Sequence, residues 1–531
     1  MNIQVLDCTL RDGGYCNNWD FGISNIKYII DKLIKANIDI IEIGFLSDVK
    51  AENKDNSIFR KVDKIKSVLP SEKNHIKFMC MCNYGEIDFT QLEKKEETGI
   101  DGIRLAYHKK DWKQALEVGK IIKQKGYELF LQPMVTMMYT DNELIEMIDA
   151  ANELNPEAFY IVDSFGVVRK DDLYRMYYLI NHSLNDGIKI GYHSHNNMQL
   201  SFANSQCFVE IYDKRDKIID SSVFGMGRGA GNLNTELFVE HLNKYHSANY
   251  SILPLLQIID NVLNRIYATQ YWGYSLPHYL SSSYNCHPNY ATYLSNKNTL
   301  NIEAINEVLG RIPIGERINF NKKLIEEIYV DYQSNDYNDD IEISNLRSNL
   351  ETQPVIILAP GKSLQQYHDK IYSKISTLRA KVLSVNFLPK DIPVDMVFIS
   401  NKKRFEQFES EFIQNNTALI YTSNIHLNKK ENCYCVNYKA IRNNTSNVED
   451  NSMLMLLKLL LKINVQDIYI AGMDGYSESS SKNYFDDNMT LNSDKEYLKS
   501  LNEGITTELE NLIRHVKLNW ITPSVFSKET V

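Results

Sequence analysis

Arg11 and Asp12 stand side by side just after the first apolar run of the chain, and His193-Ser194-His195 closes a much later one. In a β-strand, residues two apart face the same way, so the two imidazoles share one face. One carboxylate and two imidazoles that converge form a donor set for a divalent cation and leave coordination positions for substrate oxygens. Arg11 adds a permanent positive charge beside that carboxylate. His-x-His alone is short and common, so the reading depends on a fold that brings the two segments together.

Up to about residue 240, apolar β-rich runs recur at 3–8, 38–45, 76–81, 102–107, 129–135, 159–163, 188–193 and 221–225, separated by stretches of helical period. Eight βα units in about 230 residues match the usual length of a (β/α)8 TIM barrel, which we assign to residues 1–240. In that fold the ends of the first and seventh strands open on the C-terminal face, where barrel enzymes place their chemistry. Residues 241–345 are Tyr- and Asn-rich and then helical, and read as a helical appendage and linker. Their polar, acidic stretch 333–349 is the expected linker. From 350 to 531 the alternation of strand and helix restarts, which predicts a doubly wound, Rossmann-like α/β domain.

The 531 residues are 43% hydrophobic and 24% charged, which excludes wholesale disorder and a membrane bundle. A formal charge of −10 provides no basic field for nucleic acid or anionic lipid. The longest apolar run, 453–461, is interrupted by Lys458 and is too short to span a bilayer, and the N-terminus has no basic-then-apolar leader pattern. The expectation is a cytoplasmic protein without nucleic-acid or membrane partners. The eight cysteines include the pairs Cys80/Cys82 and Cys433/Cys435, spaced as strand residues rather than as a zinc or redox motif.

Four segments, LDCTLRDGGYCNNWDF, IEIGF, GYHSHNN and GMGRGAGNLNTE, occur in this order at predicted strand ends. In these the chain resembles the family of metal-dependent lyases and synthases that contains 4-hydroxy-2-oxovalerate aldolase, hydroxymethylglutaryl-CoA lyase and isopropylmalate synthase. The resemblance covers about residues 1–240. It implies a divalent metal, Mn2+ or Mg2+ with Co2+ or Zn2+ as alternatives, held by Asp12, His193 and His195 with Asn232 as a further ligand. It also implies a 2-oxo acid bound through its carboxylate and carbonyl oxygens, with Arg11 as a second electrophile.

Glu42 is expected to be buried and to orient Arg11 or a bound water, while Arg104 and Gln132 are candidate substrate contacts at the barrel mouth. Glu236 is expected to support the loop that carries Asn232. The CoA-dependent branch usually continues Arg-Asp-Gly with Glu-Gln. Here Gly14 and Tyr15 follow Gly13, which resembles the aldolase branch. Where those aldolases carry a histidine as proposed general base, this chain has Tyr15, so Tyr15 and His287 are the candidates for that role. The related appendage supplies a tyrosine to the mouth, for which Tyr284 and Tyr290 are the candidates.

In the C-terminal region, Ala-Pro-Gly361-Lys362-Ser363 follows a strongly apolar strand and opens a helix, a turn whose amides can bind a phosphate. With Asp474 in the later DIYIAGMDGY it loosely resembles the nucleotide-sugar-binding fold of bacterial sialyltransferase-like proteins. That resemblance implies a nucleotide or nucleotide sugar as second ligand and a role in surface-glycan synthesis. Asn386 and Asp395 also fall near predicted strand ends. The function expected is a metal-dependent aldolase joining or separating a pyruvate-like 2-oxo acid and an aldehyde, with a homo-oligomer as its assembly. Its rivals are an acyl-CoA-dependent Claisen-type enzyme and a non-catalytic barrel scaffold.

Overall fold

The computed structural model describes residues 2–60, 62–73, 75–414, 417–427, 432–477, 483–486, 489, 495–514 and 516–527. The chain divides into two compact units, the first formed by Met1–Asn289 with Gly315–Phe320 and the second by Tyr290–Ile314 with Asn321–Val531.

In the first unit the strands are β1 (Ile3–Asp7), β2 (Ile40–Leu46), β3 (Ile58–Phe59), β4 (Lys77–Asn83), β5 (Gly102–Tyr107), β6 (Glu128–Pro133), β7 (Ala158–Asp163), β8 (Lys189–Ser194) and β9 (Lys217–Ser221). Every pairing is parallel, in the order β1-β9-β8-β7-β6-β5-β4-β2, and a β1–β2 pairing closes the barrel while β3 extends β2 at its edge. The eight barrel strands are the expected units with one shift. The last strand is 217–221 and not 221–225, where Val223–Gly225 forms a 3-10 turn instead. Its Lys217 and Asp220 are fully buried, so their polarity obscured a strand that the pleat had already made two-faced.

The period of two sorts the barrel residues. Val5, Ile41, Ile43, Ile103, Leu105, Leu129, Leu131, Ile190, Tyr192 and Ile219 face outward into the core shared with the surrounding helices. Leu6, Ile40, Met79, Phe130, Tyr160 and Ile218 instead form a separate cluster in the barrel interior. Two residues beyond Ile40, Phe130 and Ile218 on the same strand faces stand Glu42, Gln132 and Asp220, all buried. Apolar packing at one level thus supports a polar level nearer the C-terminal mouth.

The second unit holds a seven-stranded parallel sheet of β10 (Val355–Leu358), β11 (Lys381–Val385), β12 (Met396–Ile399), β13 (Ala418–Thr422), β14 (Cys433–Val436), β15 (Ile468–Ala471) and β16 (Leu518–Trp520) in the order β14-β13-β12-β11-β10-β15-β16. The order reverses at β10, which pairs with β11 on one side and β15 on the other. The helix Ser452–Lys462 is buried along most of its length, which accounts for its apolar run. No described helix is long and apolar enough to cross a membrane.

Two expectations need revision. Residues 340–350 are not linker: Asp340–Leu350 is a helix, and Ile343, Leu346 and Leu350 join the core of the second sheet. The helical segment after the barrel also does not act as one appendage, because residues from Tyr290 onward, apart from Gly315–Phe320, pack with the second unit.

Candidate metal centre and barrel mouth

Asp12 lies in the turn after β1, and His193 and His195 lie on and just beyond the end of β8. All three are buried, and their ligand atoms lie within 4.8 Å of one another. The His195 Nε2 is 3.9 Å from Asp12 Oδ2, and the two imidazole rings stand nearly perpendicular at 5.3 Å between centroids. Asn232 is brought in by an antiparallel bridge between His195 and Asn232. Its Nδ2 donates to Asp12 Oδ2 at 2.7 Å, while its Oδ1 is buried without a partner. Gly227 permits this approach, since a Cβ there would strike both the Asn232 amide and the Asp12 carboxylate.

A line of alternating buried charges runs from Asp12 to His193. Arg11 donates to Asp12 through Nη1 and to Glu42 Oε2 through Nε at 2.7 Å. The same Glu42 oxygen lies 2.9 Å from Arg104 Nη1, and Arg104 Nη2 pairs with Asp220. Asp220 Oδ2 is 2.9 Å from His193 Nδ1. Three carboxylates against two guanidinium groups leave one negative charge uncompensated in the interior. With Nδ1 donating to Asp220, the ring of His193 leaves Nε2 as its free acceptor. The Nδ1 of His195 meets the Arg228 carbonyl oxygen at 3.2 Å, which selects the same tautomer.

Burial alone raises the pKa of Asp12, but Arg11, followed by the two histidines and Asn232, holds this carboxyl well below its ordinary range. Burial also raises Asp220, and Arg104 and His193 outweigh that effect and lower it. Burial pushes His195 down to about 3, so its imidazole is neutral and able to act as a ligand. The unfilled Asn232 Oδ1, the surplus negative charge and the two oriented imidazoles together fit a divalent cation.

Above this group lies a cavity of about 290 Å³ whose wall includes Tyr15, His108, Ser164, Phe165, Arg228 and His287. Tyr15 and His287 thus share one cavity, as expected, but neither is set up as a base. Tyr15 is 38% exposed and an ordinary phenol is already protonated at neutral pH; partial desolvation of its hydroxyl raises it further, so it keeps its proton. The Nδ1 of His287 accepts from the Asn289 amide at 3.2 Å, which places the ring proton on Nε2, and burial with the nearby Arg228 pushes the group down to about 3. Tyr290 belongs to the second unit, where its hydroxyl accepts from the Asn321 amide, and Tyr284 is not on the cavity wall.

Arg104 does not reach substrate space: it is completely buried between Glu42 and Asp220. Glu42, equally buried, is a positioning residue for Arg11. Gln132 is 2% exposed and its Nε2 has no partner. Glu236 accepts from the Phe224 amide at 2.9 Å and supports the loop. Sequence reasoning passed over two residues of this site. Asp220 was hidden by the shifted strand, and Arg228 stood unremarked inside GMGRGAGN.

In the second unit the expected phosphate cradle is not formed. The Gly361 amide donates to Gly472 O at 2.8 Å, and both the amide and the hydroxyl of Ser363 donate to Asp474. The Asp474 carboxylate therefore occupies the anion position of that turn, and the helix that follows has only four residues, Ser363–Gln366. Gly361 and Asp474 line a cavity of about 190 Å³ at the reversal point of the sheet, together with Asn386, whereas Lys362 and Ser363 do not. Asp395 ties strands together through the Val382 amide and Lys381.

A 4-hydroxy-2-oxovalerate aldolase from Geobacillus genomosp. 3 is 25% identical over 260 residues, which are 49% of this chain and 75% of that protein. An oxaloacetate decarboxylase from Mycobacterium tuberculosis is 25% identical over 252 residues, 45% of this chain and 70% of that one. Among solved structures, the N-terminal domain of a candidate aldolase from Bacteroides vulgatus is 28% identical at a TM-score of 0.48, covering 55% of this chain and 96% of that domain. The HMGL-like family model matches residues 2–258, the segment that folds as the closed barrel and carries the Asp-His-His group.

Proposed function

We propose that the barrel is a divalent-metal-dependent aldolase that forms or cleaves the bond between the enolate of a pyruvate-like 2-oxo acid and an aldehyde. The observation that supports it is the buried Asp12, His193 and His195 group with two unfilled polar atoms beside it, Asn232 Oδ1 and Arg11 Nη2. Asp12, His193, His195 and Asn232 would hold the ion, manganese or magnesium first and cobalt or zinc as alternatives; bound there, it supplies Lewis-acid polarisation of a substrate carbonyl.

Arg11, fixed by Glu42 and Asp12, keeps Nη2 for a donor oxygen, and its permanent charge stabilises the enolate. Tyr15 and the His287 Nε2 present protons to the acceptor's carbonyl oxygen, which must gain one as the carbon–carbon bond forms. The donor's own methyl proton then has to leave to another base, because neither of these groups is basic at neutral pH in this setting.

That last point favours a second reading, β-decarboxylation of a 2-oxo diacid, the activity named for the mycobacterial relative. There the carbon–carbon bond breaks to release CO2 and its electron pair passes to the same enolate, with no proton removed. The glycan role and a nucleotide or nucleotide-sugar ligand have no part in this proposal, because Asp474 occupies the turn expected to hold a phosphate.

The test is proton NMR of pyruvate in heavy water with Mg2+. Loss of the methyl signal that His193→Ala abolishes is the outcome expected of the aldolase. Release of CO2 from oxaloacetate without methyl exchange assigns the second reading, and neither reaction with the ion demonstrably bound overturns both.

A further inference from the structure

Arg228 follows the turn after β9 and is half-buried on the wall of the mouth cavity. Its guanidinium carbon lies 5.6 Å from the centroid of the Tyr15 ring, and its Nη2 donates to the Ser164 carbonyl oxygen at 3.4 Å. Among the described residues it pairs with no carboxylate. Of the two acidic groups on the same wall, Glu86 is held by Lys50 and Asn83, and Asp111 lies beside His108.

A guanidinium removed from bulk water without a counter-charge is costly, and its planar fork matches a carboxylate or phosphate. The stacking on Tyr15 and the Ser164 contact fix the group while leaving most of its five donors unused. The Nε2 proton of His287 is a further donor on that wall. The Arg228 carbonyl oxygen meets His195 Nδ1, which ties the loop that carries this side chain to the candidate metal ligands.

We propose that Arg228 is the specificity anchor for a second substrate carrying an anionic group, a carboxylate or a phosphate, apart from the end that reacts. This rests on the barrel acting on a 2-oxo acid and a carbonyl partner, and it names the partner as an anionic aldehyde. Arg11 serves the donor and Arg228 the acceptor, so the two cations divide the two substrates between them.

The experiment uses the full chain and three proteins: wild type, Arg228→Gln and Arg228→Lys. Calorimetry on metal-free protein, with succinic semialdehyde and inorganic phosphate as probes, reads the anion site without any turnover. Wild type is expected to bind at least one probe, Arg228→Gln about 10- to 100-fold more weakly and Arg228→Lys between the two. Equal binding by wild type and Arg228→Gln, or none by wild type, overturns the proposal.

On metal-loaded protein, addition of pyruvate to glyceraldehyde 3-phosphate and to glyceraldehyde is compared. Arg228→Gln is expected to remove the preference for the charged aldehyde. An unchanged preference overturns the anchor. Loss of methyl exchange in wild type overturns the aldolase reading instead, and the calorimetry still decides Arg228. Phosphate bound without succinic semialdehyde assigns a phosphorylated partner, and the reverse assigns a carboxylate.

Discussion

Replacing Asp220 by asparagine preserves shape and removes one charge at the end of the buried line that orients His193. The carboxylate now accepts from Arg104 Nη2 and from His193 Nδ1, the latter at 2.9 Å. Both contacts go to one oxygen, Oδ2, while Oδ1 is buried with no partner among the described residues, so an amide has two settings, each worse than the carboxylate. With its oxygen toward both donors it is a neutral, weaker acceptor for His193 and its NH2 is left unpaired; with its NH2 toward them, His193 Nδ1 must become an acceptor and move the ring proton to Nε2, the ligand atom. Loss of a partner of this kind lowers metal affinity by roughly 10- to 100-fold, equivalent to about 1.4–2.8 kcal/mol. Arg104 keeps its ion pair with Glu42, so the folding cost should stay below the roughly 3–5 kcal/mol of truncating a buried pair. Titration of free Mn2+ by electron paramagnetic resonance reads the first quantity, and urea unfolding in chelator reads the second. A folded Asp220→Asn protein that binds Mn2+ as tightly as wild type would refute the tautomer argument.

Two further perturbations follow from single groups. Burial pushes the Asp163 carboxyl up to about 7, against an ordinary value near 3.9, so the folded state keeps a proton that the unfolded chain releases as pH rises from about 4. Stability from this group is present at low pH and lost as pH rises through about 7; Asp163→Asn should therefore gain on wild type in urea unfolding between pH 4 and pH 8, and a pH-independent difference would contradict the assignment. Gly472 has φ +77°, and a Cβ there would meet the Ala359 carbonyl oxygen. Gly472→Ala should destabilise the second unit by at least about 2 kcal/mol, read as faster amide exchange in β10 and β15, and unchanged protection would show that the turn can relax.

The candidate metal-binding group was legible because its members sit where chain direction and pleat put them: Asp12 shortly after β1, His193 and His195 two apart at the end of β8. Strand periods and turn residues also exposed the barrel and six of the seven strands of the second sheet. The seventh, Leu518–Trp520, is three half-buried residues at the sheet edge and carries too little pattern to detect. What stayed hidden were partners distant in sequence. Nothing near Ser363 announces that Asp474, 111 residues later, fills the place of an anion. Nothing near Asn289 announces that the chain changes units there. The buried Lys217 and Asp220 displaced the last barrel strand because a charge in a strand reads as solvent-facing until its partner is known.

Three arginines show why partners decide roles. Arg104 has two carboxylates within ion-pair distance and no exposure, and its charge is spent on holding Glu42 and Asp220 in place. Arg11 also has two carboxylates, but Nη2 has no partner, so part of its donor fan remains for a substrate oxygen. Arg228 faces the mouth with a carbonyl oxygen and an aromatic ring as its contacts and no carboxylate among the described residues. A guanidinium is charged in all three places, so the number of carboxylates around it sets how much of that charge is available to a ligand. On this measure the interior of the barrel is a rigid frame for the candidate metal ligands, and positive charge without a carboxylate partner among the described residues increases toward the mouth. That gradient is what the proposed role of Arg228 in selecting a second substrate rests on, since the mouth is where a substrate would enter.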